Sequence, residues 1–138
     1  RIVGADGVER TKIDPFAQQF EVPPNYSAIA CGFSDPPGYE WHDSAWLERR
    51  QQLALGGKNL KLPMAIYEVH LPSWRRTAEG QHLGYRDLAP ELVAHMKALN
   101  FNWLELLPLA HHPFEGSWGY QVTGHYAVYS RLGSPGRL

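Results

Sequence analysis

Three consecutive segments decide the fold of this chain: MAIYEVHL at 64–71, YRDLAPELVAHMKAL at 85–99 and FNWLELL at 101–107. The first and third are rich in β-branched and aromatic residues and each is followed by a proline, which is typical of strands. The middle segment repeats apolar residues at spacings of four, four and three, at Leu88, Leu92, Met96 and Leu99. This period predicts a helix with one apolar face. Strand, helix and strand form a βαβ unit, which implies a parallel strand pair.

The ends of the predicted helix carry suitable residues. Gly84 suits the N-cap, and Asn100 suits a left-handed residue after the last turn. Pro90 lies beyond the first turn, where it removes a backbone hydrogen bond. We therefore expect the helix to start later than Tyr85 or to bend at Pro90.

The two predicted strands are apolar on both faces, apart from Glu68, His70, Asn102 and Glu105. Parallel strands of this kind are normally covered on both sides, and one helix covers only one of them. We therefore expect either a partner or further sequence to supply the second cover. For the same reason, we expect the chain alone to fold poorly or to aggregate.

The sequence before Pro63 is less regular. Short apolar runs at 16–22 and 27–31 are interpreted as strands. Residues 44–50 predict a short helix capped by Asp43, and residues 51–62, with two adjacent glycines, are interpreted as a linker.

Composition narrows the class of protein. The 138 residues carry a net charge of −1, which gives no reason to expect nucleic acid or an anionic membrane as partner. No apolar run reaches the roughly 18 residues of a membrane span, and the first ten residues have no signal-peptide pattern. Cys31 is the only cysteine, so no internal disulfide is possible. We expect a cytoplasmic protein.

Glu68 and Glu105 occupy the polar-bearing faces of the two strands, which makes them a candidate carboxylate pair. Two carboxylates roughly 5 Å apart serve as acid and nucleophile in retaining glycoside chemistry. The alternative is an internal network with His70 or Arg75. The alternative is favoured because catalytic groups in parallel barrels lie at strand ends rather than within strands.

His111 and His112 raise the question of a metal. Neighbouring residues of a strand or helix point in different directions, and no cysteine or carboxylate stands at a recognised ligand spacing. We expect no metal and no cofactor.

The segment after the second strand is the most informative for function. It combines Trp118, Tyr120 and Tyr126 with glycines, at Gly116, Gly119 and Gly124. A loop after a barrel strand lies on the face where substrates bind, and aromatic rings there provide stacking surfaces for sugars. The alternative is that Trp118 and Tyr126 only pack the loop against the protein.

These motifs closely resemble glycogen branching enzymes of the α-amylase superfamily. The resemblance covers about residues 12–135. Residues 65–76 (AIYEVHLPSWRR) resemble the first barrel strand of that family, and 85–93 its first helix. Residues 104–124 resemble the second strand and its loop, in which GSWGYQVTG at 116–124 is highly specific. The chain departs from the family pattern at Pro72, His111, Val128 and the tail after Pro135.

The resemblance implies an α/β fold, a partial (β/α)8 TIM barrel (β1-α1-β2 and the following loop) preceded by the tail of a β-sandwich. Residues 1–40 would end the N-terminal carbohydrate-binding-like module, 41–62 would be the linker, and 63–138 would start the barrel, truncated. Tyr120 would line the subsite of the sugar whose bond is cleaved, with Trp118 and Gln121 as neighbouring substrate-binding residues.

The resemblance also implies the reaction, a cofactor-free retaining transfer on an α-glucan such as glycogen or amylose. An α-1,4 bond is cleaved, the glucosyl segment is held on an Asp, and a 6-hydroxyl receives it to form an α-1,6 branch. The family's nucleophilic Asp and acid/base Glu motifs are absent, so no catalytic residue is assigned and this chain is expected to be inactive. The alternatives are a trehalohydrolase or debranching enzyme of the superfamily, or a non-catalytic glucan-binding protein.

Overall fold

The computed structural model describes residues 1–22, 40–58 and 61–138. Its elements in chain order are strands β1 (Ile2–Val3) and β2 (Glu9–Arg10), helix α1 (Ser44–Leu55), strand β3 (Ile66–Val69), helices α2 (Leu71–Trp74) and α3 (Tyr85–Ala98), and strands β4 (Trp103–Leu106), β5 (Ala110–His111) and β6 (Gly124–Val128). A short 3-10 turn at Glu115–Ser117 lies between β5 and β6, and a second, at Pro135–Arg137, lies after β6. No helix among these residues is long and apolar enough to cross a membrane.

Strands β3 and β4 pair in parallel, as the βαβ pattern predicted, with Ile66 opposite Trp103 and Glu68 opposite Glu105. Both strands are shorter than the predicted runs 64–71 and 101–107. The first ends early because Leu71 and Pro72 already belong to helix α2, whose first turn needs no proline N–H. Pro72 therefore lies in the first turn of a helix rather than simply closing a strand.

Asn102 fixes the entrance to this strand pair. Its Oδ1 accepts a hydrogen bond from the Ala65 N–H at 2.8 Å, and its Nδ2 donates to the Pro63 carbonyl at 2.8 Å. One side chain thus satisfies two backbone groups of the neighbouring segment just before β3 begins.

Helix α3 begins at Tyr85 and continues through Pro90 to Ala98, so the expected late start was wrong. Pro90 is exposed, and its missing N–H removes one hydrogen bond from the helix without ending it. Asn100 adopts the predicted left-handed conformation, with φ 59°. The Phe101 N–H donates to the Met96 carbonyl at 2.9 Å, which closes the helix in a Schellman motif.

The core lies between α3, strand β3 and the segment after β6. Its buried members are Val69, Leu71, Tyr85, Leu88, Leu92, Tyr129 and Leu132. Met96 packs against this cluster, but Leu99 stays exposed because it is the residue that ends the helix. Three of the four residues on the predicted apolar face therefore contribute to the core.

The opposite face of the β3–β4 pair is uncovered by the residues that the structure describes. Ile66 is 50% exposed and Trp103 is 49% exposed, and Glu68 and Glu105 are exposed beside them. This surface of four residues is called the open face below. Its exposure agrees with the expectation that one helix covers only one side of the pair.

Of the elements predicted before Pro63, the helix is present and longer than predicted, and the strand 16–22 is absent. Helix α1 forms after Asp43, whose side chain makes no capping bond, and it extends to Leu55, so residues 51–55 are helical rather than linker. The predicted strand 16–22 was wrong: Asp14 forms a turn by accepting a hydrogen bond from the Phe16 N–H at 2.9 Å. The predicted strand 27–31 lies outside the described residues.

Candidate functional site

The aromatic loop is held between two short strands. Strands β5 and β6 pair antiparallel, with Ala110 opposite Val128 and His111 opposite Gly124. The Thr123 N–H donates to the His111 carbonyl at 3.0 Å and closes the base of the loop. Sequence reasoning missed both strands because their ladder is short and irregular. The loop therefore has a fixed base next to the carboxyl end of β4.

Inside the loop, a 3-10 turn at Glu115–Ser117 leads into two residues with positive φ, Trp118 at 53° and Gly119 at 89°. The Ser117 hydroxyl donates to the Phe114 carbonyl at 2.7 Å and closes the turn from its side-chain side. Gly119 lies directly on Pro108, so a Cβ built at Gly119 would be 2.3 Å from the Pro108 carbonyl oxygen. Only glycine fits both this contact and this backbone conformation.

The three predicted substrate-binding residues lie together at the tip of the loop, and all three are exposed. Tyr120 is 68% exposed, Trp118 is 59% exposed, and Gln121 is exposed as well. The Tyr120 N–H donates to the Ser117 carbonyl at 3.0 Å, so the backbone is held while the exposed ring is accessible to a ligand. The loop thus offers two adjacent aromatic surfaces with polar tips.

Tyr126 differs from Trp118 and Tyr120. It is 65% exposed, but its ring stacks on Phe16 at 5.7 Å between centroids. For Tyr126, the alternative that the ring only packs the loop against the protein is supported by a specific stacking partner, Phe16. The Trp118 ring is tilted against the His70 ring, with 6.2 Å between the centroids.

His111 and His112 are buried and face different neighbours. The His111 ring stacks on Phe20 at 4.0 Å, and the His112 ring stacks on Tyr129 at 4.2 Å. Burial, together with the neighbouring His112, lowers the pKa of His111 to about 4. In the described part of the chain, no group of three or more metal-ligating side chains comes together. The two histidines serve as aromatic packing beneath the loop.

A cavity of about 250 Å³ separates the loop from helix α2. It is lined by His70, Pro72, Ser73, Arg76, His82, His112, Glu115, Gly116, Trp118 and Tyr129. Two polar contacts lie along its wall: His70 Nδ1 lies 2.7 Å from the Ser73 hydroxyl, and Arg76 Nη1 lies 3.3 Å from His82 Nε2. Burial lowers the pKa of His70 and of His82, and Arg76 lowers that of His82 further.

Glu115 is the acidic centre of this region, and sequence reasoning did not identify it as a site residue. Its Oε1 accepts a hydrogen bond from the Tyr129 hydroxyl at 3.2 Å and lies 2.9 Å from Arg131 Nε. Burial, the largest effect, raises the pKa of Tyr129 to about 12, so the phenol keeps its proton and donates it. The spacing of Glu115 and Tyr129 along the chain does not predict this hydrogen bond, because the two residues meet only when β6 pairs with β5 and brings the following segment back to the loop.

The carboxylate pair of the sequence analysis is brought together by the sheet. Glu68 and Glu105 are register partners, and both are exposed on the open face. Their expected network partners are engaged elsewhere, since His70 pairs with Ser73 and Arg75 Nη1 lies 2.7 Å from Glu91 Oε2. Among the described residues, neither glutamate side chain makes a hydrogen bond or an ion pair.

Comparison with known proteins gives a consistent result. The chain is 44% identical over 131 residues to the 1,4-alpha-glucan branching enzyme of Methylococcus capsulatus, covering 95% of this chain and 17% of that protein. It is 46% identical over 135 residues to the enzyme of the same name from Deinococcus radiodurans, covering 98% and 18%. The Chlamydia abortus enzyme is 44% identical over 134 residues, covering 97% and 17%. No family model matches the chain. The chain spans less than a fifth of the length of these three relatives.

Proposed function

Because the chain belongs by sequence to the 1,4-alpha-glucan branching enzymes, we propose that it contributes the glucan-positioning loop of such an enzyme. The substrate is an α-glucan, and the reaction is the retaining transfer described above, in which an α-1,4 segment moves to a 6-hydroxyl. The partial barrel, the β-sandwich module before it and the cytoplasmic location belong to the same proposal.

One observation supports this proposal most: Tyr120 and Trp118 are exposed side by side on a loop whose backbone is fixed by Ser117, Gly119 and Pro108. A rigid backbone under exposed rings suits a sugar, because the rings stack on the pyranose without first having to be ordered. The loop also follows β4, at the carboxyl end of a parallel strand pair, where substrates bind in barrel enzymes.

The contribution of these residues to the reaction is positioning and charge stabilisation. The Tyr120 ring would stack on the sugar whose bond is cleaved, with its hydroxyl near the charge that develops at the ring. Such a contact strengthens as the transition state forms, so it acts on kcat more than on KM. Trp118 and Gln121 would hold the neighbouring part of the glucan in register.

The experiment grafts residues 1–138 onto the Deinococcus radiodurans enzyme in place of its matching segment, since the two are 46% identical there. Tyr120→Phe should lower kcat more than it raises KM, and Tyr120→Ala should lower kcat further. Tyr126→Phe is the matched control, because this tyrosine is equally exposed but stacks on Phe16.

Melting temperatures separate function from packing in this experiment. A fall in kcat at unchanged Tm supports the proposed role of the hydroxyl. A normal kcat in Tyr120→Phe would refute that role, and glucan binding without any turnover by the grafted enzyme would favour the non-catalytic alternative.

A further inference from the structure

Glu115 joins three parts of the molecule that are separate along the chain. His82 Nε2, from the segment before α3, lies 3.4 Å from Glu115 Oε1. Tyr129 and Arg131, from the segment after β6, reach the same oxygen at 3.2 Å and 2.9 Å. An anionic acceptor shared by a phenol and a guanidinium is stronger than a neutral one. Glu115 therefore fixes the start of the 3-10 turn against the segment after β6.

The turn transmits the position of Glu115 to the exposed aromatic rings. The Trp118 N–H donates to the Glu115 carbonyl at 3.0 Å, and the Tyr120 N–H donates to the Ser117 carbonyl at 3.0 Å. Trp118 is itself held in the left-handed conformation, which a tryptophan adopts only when its surroundings impose it. A shift of the turn at Glu115 would thus move the backbone that carries Tyr120.

We propose that Glu115 is a positioning residue, whose carboxylate holds the Tyr120 ring in the orientation that engages the glucan. The inference rests on the proposed function of Tyr120, but the placement of the ring can be measured without any turnover. Glu115 is nearly half exposed, and it acts through the turn rather than by touching the reacting atoms.

The chemistry of the site distinguishes the possible substitutions. Glu115→Ala removes the acceptor and leaves Tyr129 and Arg131 without the shared anion. Glu115→Gln keeps one oxygen that accepts from the Tyr129 hydroxyl, but it loses the charge that attracts Arg131. The placement of the ring should therefore suffer most in Glu115→Ala and be partly rescued in Glu115→Gln.

The kinetic test is a double-mutant cycle in the grafted enzyme. Glu115→Ala should lower kcat about tenfold with a smaller change in KM, since misplaced groups cost this much or more. In a Tyr120→Ala background, Glu115→Ala should have little further effect, because the ring that it orients is gone. Equal losses of kcat in both backgrounds would overturn the proposal.

The second test reads the ring directly, with 3-fluorotyrosine placed at position 120 of the 138-residue chain and of the grafted enzyme. Glu115→Ala should move the fluorine resonance and narrow it towards that of a freely rotating ring. Glu91→Gln is the matched control, because Glu91 also pairs with an arginine but lies on α3, away from the loop. An unchanged resonance in Glu115→Ala would refute the positioning role, even if the grafted enzyme proved inactive and the proposed function had failed.

Discussion

At the scale of single residues, the loop depends on positions where no other side chain fits. Gly119 combines φ 89° with a contact that places any Cβ 2.3 Å from the Pro108 carbonyl oxygen. Gly124 is also crowded, since a Cβ there would meet the Phe20 ring at 2.4 Å. The neighbouring Tyr120 and Gln121 have no such restriction because their side chains are exposed. The geometry of the loop is therefore set by its glycines, and its chemistry by the residues between them.

We predict that Gly119→Ala displaces the loop from Pro108 and lowers glucan turnover in the grafted enzyme at least tenfold. The cost combines a left-handed backbone, about 1 kcal/mol or more for alanine, with a steric clash against a backbone oxygen. Steady-state kinetics measure the loss. Gly57→Ala serves as the control: Gly57 also has positive φ, but a Cβ there meets nothing within 4 Å. Comparable activity of Gly119→Ala and the parent would contradict this account of the loop.

The buried His111 gives the chain a specific response to acid. Its pKa in the folded chain is about 4, below the usual value near 6.5. The unfolded chain therefore binds the proton more readily than the folded chain does. The free energy of unfolding has its full value above pH 6.5 and decreases as the pH falls from 6.5 through 4. At about 1.36 kcal/mol per pH unit, the loss should reach about 3 kcal/mol by pH 4.

Urea unfolding of the dilute chain, followed by tryptophan fluorescence from pH 7.5 to 4, measures this dependence. His111→Phe keeps a ring for Phe20 to stack on but has no group to protonate, so its unfolding midpoint should fall less steeply below pH 6.5. Parallel slopes for the two proteins would show that His111 does not carry the effect.

At the scale of the elements, the sequence predicted those whose pattern runs over many residues. Strands β3 and β4 were located because each predicted run is rich in β-branched and aromatic residues and is followed by a proline. Helix α3 was located because its apolar residues repeat with the helical period along its whole length. The short strand β6 and helix α2 were missed, because they depend on tertiary contacts such as the return of Val128 to Ala110. The same limit applies to the site: Tyr120 was found from its motif, whereas Glu115 depends on partners that only the fold brings near.

The register of β3 and β4 places two carboxylates side by side, and their repulsion should be measurable. We predict that Glu105→Gln raises the urea midpoint of the chain slightly, since like charges on neighbouring strands destabilise a sheet by a few tenths of a kcal/mol. The gain should fade in 1 M salt, which screens exposed charges. A lower urea midpoint in Glu105→Gln would show that the pair has a stabilising role. If the parent chain turned over amylose and Glu105→Gln abolished that activity, the hypothesis of a catalytic carboxylate pair would be revived.

At the scale of the whole molecule, the open face is the feature that governs behaviour in solution. Ile66 and Trp103 present apolar surface on the face of the strand pair opposite Val69, which belongs to the core. Exposed apolar surface on a sheet favours association.

We predict that the chain self-associates at micromolar concentration and that Ile66→Lys combined with Trp103→Gln reduces this association. Analytical ultracentrifugation over a hundredfold range of concentration measures it. Trp46→Gln, on the exposed helix α1, is the matched control for losing a surface tryptophan. A monodisperse monomer of the parent chain at every concentration would refute the prediction.

The pairing of Ile66 with Trp103 also has a consequence for the timing of protein synthesis. Strand β3 leaves the ribosome before its partner exists, and Asn102, which clamps Ala65, is synthesised 37 positions after it. At roughly 5–20 residues per second, β3 waits about 2–7 seconds for β4. Helix α3 emerges during this interval and can shelter Val69 on one side, so the nascent βαβ unit assembles in chain order, while Ile66 is available throughout to a chaperone that binds emerging apolar segments.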